Sequence, residues 1–290
     1  ADTQLDPAAI RLLVKHFVDE KVGAVAGNVR VGNEVNVITY WQSLEYTTSQ
    51  NLDRRAYALL NAITVVPGAI GAWRKSAVQE VGGYVNDTLA EDMDLTWRLR
   101  RKGYRLANEA QAYAYTEAPQ TFGAFFRQRF RWAYGTLQCL YKHRGAVFHY
   151  GWFGWLALPA LWIFQIGFQA LAPLIDVEVI ISLVHYLLAL SNASGENGQL
   201  ALASETQTML QVGFLYALFF VVELVAAIIA TRLERQRFSL LLWLFLQRFA
   251  YRQIMYGVIY RSLVRAITGG RAGWGKLDRK GTVRIPKPSR

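Results

Sequence analysis

Cysteine is almost absent: Cys139 stands alone among 290 residues. That excludes an internal disulfide framework and any zinc site built from several thiolates, and it leaves Cys139 as a buried helical residue. Charge is also sparse. Only 18% of residues are charged against 53% hydrophobic, a balance unlike that of most soluble domains and consistent with a membrane protein. No segment repeats and none is low in complexity. No signal peptide opens the chain, which begins Ala1-Asp2-Thr3 rather than with methionine, so its start reads as cut.

Acidic residues are outnumbered, giving a formal charge of +11. The basic residues are not spread as a nucleic-acid surface would need. They cluster in 98–105, 127–144, 232–237 and 261–290, beside apolar stretches or along one short helix. This pattern suits a cytoplasmic membrane face and a diphosphate-bearing substrate, and it argues against nucleic acid as a partner.

Residues 1–150 mix helical and strand patterns. Asp6-Pro7 reads as a cap and a first-turn proline opening a helix to about Asp19. Val22–Ala26 suits a buried strand, 36–60 a long helix, and 63–73 resumes strand character around Pro67-Gly68. Helices are expected at 74–81, 91–102 and 121–143, with strands near 105–107 and 112–115. The alternation predicts an α/β layer structure.

From residue 152 long apolar runs take over: 152–174, 177–190 (set apart by Pro173 and Asp176), 210–230 and 238–267. A run like 210–230, at ~1.5 Å per residue, can cross a core of about 30 Å. Residues 192–208 contain no lysine or arginine and belong outside; 232–237 and the tail belong inside. This predicts full crossings at 177–190 and 210–230, with the other two runs interfacial or re-entrant. Glu223, Arg248 and Arg252 interrupt the apolar runs. Glu223 should face other helices or a polar channel, and the arginines should do likewise or reach for the interface.

Two stretches can carry chemistry. Ala90-Glu91-Asp92-Met93-Asp94 opens a helix with carboxylates, which at a helix start also serve as dipole partners and caps. Gln128, Arg131 and Trp132, at helical offsets zero, three and four, share one face. A guanidinium there suits a phosphate and an indole suits a sugar ring. The competing reading is a basic helix lying on the membrane, supported by Arg127, Arg129, Lys142 and Arg144.

A Glu-Asp pair followed by Gln-x-x-Arg-Trp, with membrane helices directly after, resembles the family 2 inverting glycosyltransferases. These include the cellulose, chitin, hyaluronan and poly-N-acetylglucosamine synthases. The resemblance implies an α/β fold: the C-terminal part of a GT-A (Rossmann-like) domain over 1–150, then transmembrane and interfacial helices over 151–268, then a basic cytoplasmic tail over 269–290. It implies that Asp92 is the catalytic base, with Glu91 beside it and Asp94 in support. Gln128 and Arg131 would meet the donor diphosphate and Trp132 would seat the acceptor sugar. Ala90 stands where the family often has threonine, a departure that leaves the base intact.

Further implications follow from the same resemblance. Asp2 looks like the surviving half of an Asp-x-Asp motif that holds Mg or Mn, although an arbitrary acidic terminus reads the same. The nucleotide-binding first half would then precede this chain, which alone should be inactive. Val66-Pro67-Gly68-Ala69 matches a segment where the acceptor sugar approaches the backbone at Gly68 and Ala69, or is an ordinary turn. Gly273-Trp274-Gly275-Lys276 resembles a gating segment folding over the donor. Lys276 and Arg279 would neutralise diphosphate, though Leu277 stands where hyaluronan synthases carry arginine. The implied activity is processive elongation of a β-linked glycan from a UDP-sugar, UDP-N-acetylglucosamine above all, in the inner membrane. The alternatives are a nonprocessive transferase acting on a lipid carrier, and a membrane transporter or scaffold.

Overall fold

The computed structural model describes residues 3–269 together with Gly281 and Val283. Four strands form one mixed sheet: β1 (Thr3–Leu5), β2 (Val22–Val31), β3 (Gly71–Trp73) and β4 (Arg105–Thr116), in the order β1-β4-β2-β3. β2 and β4 run parallel at its centre, and the two short strands pair antiparallel at the edges. The two strands expected near 105–107 and 112–115 are one. Ala26 pairs with Asn108 and Asn28 with Tyr113, so β4 bulges out between those partners and hides its own continuity. Gly27 sits at this bulge because a Cβ there would come within 2.6 Å of Ile70.

The helices follow the sequence signals closely. α1 (Ala9–Val14) starts later than expected, and Asp6 accepts a hydrogen bond from the Ala8 amide at 2.9 Å. α2 (Val37–Glu45) is opened by a capping box: Asn36 Oδ1 accepts from the Thr39 amide at 3.1 Å, and Thr39 Oγ1 accepts from the Asn36 amide at 3.0 Å. A widened turn, Tyr46–Asn51, joins α2 to α3 (Leu52–Leu59). α4 (Lys75–Glu80), α5 (Glu91–Lys102) and α6 (Phe122–Lys142) match their expected positions.

Only Gly71–Trp73 of the expected 63–73 strand forms one. The chain before it gives its polar groups to side chains of α5 instead. Trp97 Nε1 donates to Thr64 O at 2.7 Å, and the Val66 amide donates to Thr96 Oγ1 at 3.0 Å. With those groups taken, no ladder can continue.

Among the described residues two helices are long and apolar enough to cross a membrane: α7 (Phe153–Ser191) and α8 (Gly195–Leu233). α7 corrects the expected division at Pro173 and Asp176, because 152–174 and 177–190 lie in one helix. Proline removes one backbone hydrogen bond, but in apolar surroundings any break in the helix would leave more groups unpaired. Both ends of this hairpin return to the α/β half. Trp97 packs edge-on against Phe153 at 5.8 Å, and Glu234, capping α8, reaches the sheet. Glu234 is 1% exposed; it accepts from Arg55 Nε at 2.6 Å and from Asn28 Nδ2, while Arg30 donates to its carbonyl.

The last apolar run is helical from 238 onward and ends in α9 (Arg252–Thr268), but it is not one of the two described helices apolar enough to cross a membrane. α9 lies against α6, where Arg261 stacks over Phe126 and Phe130, and against α7, where the Tyr260 hydroxyl donates to Ala170 O at 2.7 Å. The interrupting charges meet one another: Arg248 donates to Glu223 at 2.6 Å and Arg252 lies 3.3 Å from Asp176.

Candidate active site

The site is assembled around the first turn of α5. Ala90 can approach α6 closely because position 135 is glycine; a Cβ there would lie 2.8 Å from the Ala90 Cβ and 2.8 Å from its amide nitrogen. The Leu89 amide also donates to Gln138 Oε1 of α6 at 2.9 Å. The start of the acidic helix is thereby seated against the helix bearing Gln128, Arg131 and Trp132.

Asp92 is held from two directions. Its Oδ2 accepts from the Gly68 amide at 3.0 Å and its Oδ1 from the Met93 amide at 2.8 Å. Burial pushes its carboxyl up from the ordinary range, against those amides and the positive charge of Arg131. Burial also raises Glu91, helped by the charge of Asp92 and opposed by Arg131. Arg131 is therefore the cation that both carboxylates sense.

Gly68 joins the site to the segment that leads into β3. Its neighbour Ala69 packs on the same apolar cluster as Trp132, alongside Ile70 and Ala112. Asp92, Gly68, Ala69, Arg131 and Trp132 thus come together at one place. Gln128, one turn earlier on α6, is 5% exposed and its Oε1 has no hydrogen-bond partner among the described residues.

Asp94 does something else. It is fully buried and meets His143 Nε2 at 2.8 Å, Lys142 Nζ at 2.7 Å and Arg98 Nε at 2.8 Å. Burial alone would raise its carboxyl, but these partners outweigh it and hold the group well below the usual range. Asp94 therefore ties α5 to the end of α6. Two of the basic residues that suggested a membrane-lying helix are also internal: Lys142 pairs with Asp94 and Asp87, and Arg129 with Glu45. Cys139 is buried, as expected, and burial pushes its thiol up to about 12.

Asp2, Trp274, Lys276 and Arg279 lie outside the described residues. Thr3, which follows Asp2, pairs with Thr116 at the end of β4, and the Gly281 amide donates to Glu117 Oε2 at 2.9 Å. Among the described residues no three His, Cys, Asp or Glu side chains group as a metal site.

Several residues of the site escaped the sequence reading. Tyr84, on the loop before α5, has its phenol pushed up by burial and by the charges of Asp92 and Glu91, and its ring meets Trp73 edge-on at 6.3 Å. Gly135 left a signal, since glycine inside a helix is destabilising and calls for a packing reason. The ion pair between Arg129 and Glu45 left none, because nothing local links residues so far apart in the chain.

A family model described as Glycosyl transferase family group 2 matches residues 1–260. The chain belongs to this glycosyltransferase family. Among its relatives, the poly-beta-1,6-N-acetyl-D-glucosamine synthase of Staphylococcus aureus (strain COL) is 34% identical over 143 residues, covering 49% of this chain and 35% of that protein. The protein of the same name from Staphylococcus epidermidis is 27% identical over 193 residues, covering 66% of this chain and 45% of that one. The matched part of this glycosyltransferase is thus less than half the length of either relative. A solved structure, the mannosyltransferase PcManGT from Pyrobaculum calidifontis in complex with GDP-Man and Mn2+, overlaps 92% of this chain and 59% of that one at a TM-score of 0.40 and 12% identity, too loosely to bear on the site.

Proposed function

We propose that this glycosyltransferase is processive and inverting, and that it elongates a β-linked, N-acetylglucosamine-containing glycan from UDP-N-acetylglucosamine at the cytoplasmic face of the inner membrane. The observation that carries the reading is the placement of Asp92: a half-buried carboxylate with a raised affinity for protons, fixed by the Gly68 amide beside the Arg131 charge. A general base requires a carboxylate that is both oriented and ready to take a proton.

In this reading Asp92 removes the proton from the acceptor hydroxyl as its oxygen bonds to the anomeric carbon. The bond from that carbon to UDP breaks, and its electron pair leaves with the diphosphate. Arg131 and Gln128 meet the diphosphate, and Lys276 and Arg279 add charge as it departs. Trp132 seats the terminal acceptor sugar, with Gly68 and Ala69 offering backbone at close range, and Trp274 closes over the donor. Glu91 tunes Asp92 through its charge. The positioning and electrostatics require no covalent intermediate.

Asp2 is the residue that would hold a divalent cation. Its hard carboxylate oxygen suits Mg or Mn, and the neighbouring Thr3 lies at the same sheet end as the tail anchor at Glu117. When bound, the cation would neutralise diphosphate charge. We assign 1–150 to catalysis, 151–268 to the membrane and 269–290 to the donor-side tail. The junction of Glu234 with the sheet supports a hairpin that enters and leaves on the catalytic side, with 192–208 across the bilayer.

The test is incorporation of radiolabelled UDP-N-acetylglucosamine by membranes holding the full protein, with products sized. Long β-linked polymer is expected. A single sugar on a lipid carrier would move the protein to the nonprocessive class, and no incorporation would remove the activity.

A further inference from the structure

We propose that Arg129 is a positioning residue that fixes the indole plane of Trp132, and thereby how the acceptor end is held, without touching substrate. The inference rests on Trp132 being the acceptor platform.

Arg129 is 2% exposed, deeper than Arg131 or Trp132 beside it. A buried guanidinium is costly unless its charge and its donors are answered. Glu45, ending α2, answers the charge and one of the donors: Arg129 Nη1 donates to Glu45 Oε1 at 2.7 Å and Nη2 lies 2.7 Å from Oε2, while Nε and Nη2 make no hydrogen bond among the described residues. The hydroxyl of Tyr251, in the helical segment that leads into α9, donates to the same carboxylate. Burial works against the charge on Arg129, and Glu45 more than restores it.

Held in this way, the guanidinium stands 4.4 Å from the Trp132 ring centroid, 5.1 Å from Phe125 and 5.9 Å from Tyr46. Tyr46 in turn lies 6.2 Å from Trp132. A cation over an indole face is attractive and depends on position, most of all where water is excluded. Arg129 and Trp132 are three residues apart on α6, so their side chains share a face. The Trp132 ring therefore rests on a cation whose own place is set by α2 and by the last apolar run, while part of the residue stays open to solvent. Lysine would keep the charge but lose the planar, two-pronged grip on Glu45.

The test compares Arg129→Lys, Glu45→Gln, the double variant and Trp132→Ala in the full protein in membranes. UDP affinity, KM for an added acceptor oligosaccharide and product length are the readouts. Arg129→Lys and Glu45→Gln are each expected to raise the acceptor KM about tenfold and to shorten the product, with UDP affinity within about twofold. The double variant should be no worse than the poorer single one, because both remove the same support. A normal acceptor KM in Arg129→Lys, with Trp132→Ala impaired, would overturn the role of Arg129 and leave the platform standing. Parallel loss of UDP affinity and acceptor KM in Arg129→Lys would also overturn it, as a general structural defect. An unchanged acceptor KM in Trp132→Ala would instead remove the platform itself, and this inference with it.

Discussion

The α/β half and the apolar hairpin solve burial in opposite ways. Around α5, polar groups are drawn inside and answered there: Asp94 meets Arg98, Lys142 and His143, and Thr96, Trp97 and Asp92 each fix a point on the 64–68 loop. Along α7 and α8, by contrast, Ile180, Leu183, Phe214, Phe219 and Val222 all remain exposed on the protein itself. The first half holds together through its own contacts; the second needs an apolar surrounding to complete it. Where the halves meet, Phe153, Leu158 and Leu161 share an apolar cluster with Trp97 and Leu140, and the polar contact is concentrated on Glu234. The site lies in the half that is internally complete, which is where catalytic geometry can be held rigidly.

The sharpest way to break this comparison is at the junction. Glu234→Ala removes the partner of Arg55 and Asn28 and leaves cationic groups buried beside the sheet. A loss of about 3–5 kcal/mol is expected, read as a large fall in thermal midpoint in detergent and as protease cleavage between the hairpin and α3. A near-normal midpoint would mean that the two halves are held together elsewhere.

Gly135→Ala acts within the α/β half alone. The new Cβ would meet the Ala90 backbone, so α5 must move away from α6, at a cost of roughly 1–3 kcal/mol. Turnover should fall more than stability, because the shift moves Asp92 relative to Arg131. Unchanged kcat would show that the close approach of the two helices has no bearing on the chemistry.

A smaller and pH-dependent effect is expected at Asp53 on α3. Although the residue itself is exposed, desolvation of its carboxyl by the surrounding chain raises it to about 6, with Arg54 opposing. A raised carboxylate costs stability only where the folded state must ionise it. That cost is absent below the unfolded value of about 3.9 and complete above about 6. Asp53→Asn should therefore raise the thermal midpoint at pH 7.5 and lose most of that gain towards pH 4.5. A gain independent of pH would contradict the assignment.

Much of the fold was legible because its signals are local. The carboxylates of 91–94 and the cationic end of α5 mark that helix, and the face shared by Gln128, Arg131 and Trp132 exists only if α6 is helical. What was not legible depends on distant partners. β4 reads as two strands because its bulge is specified by pairing with β2, and 63–70 reads as a strand because its partners are side chains of α5. Pro173 reads as a boundary because local preference favours one, whereas apolar surroundings favour continuity. Within the site, Asp92 and Arg131 were legible as residue types in a motif. The Gly68 amide that orients Asp92, and the Glu45 carboxylate beneath Arg129, belong to contacts between segments that no local pattern records.

The central claim is that Asp92, fixed by Gly68 and facing Arg131, removes the acceptor proton. Asp92→Asn keeps the shape and the hydrogen bond from Gly68 but cannot accept that proton. In the full protein, polymer synthesis should drop by at least about a hundredfold, while UDP affinity stays within about twofold of the parent. Polymer made at a near-parental rate by that variant would contradict the account.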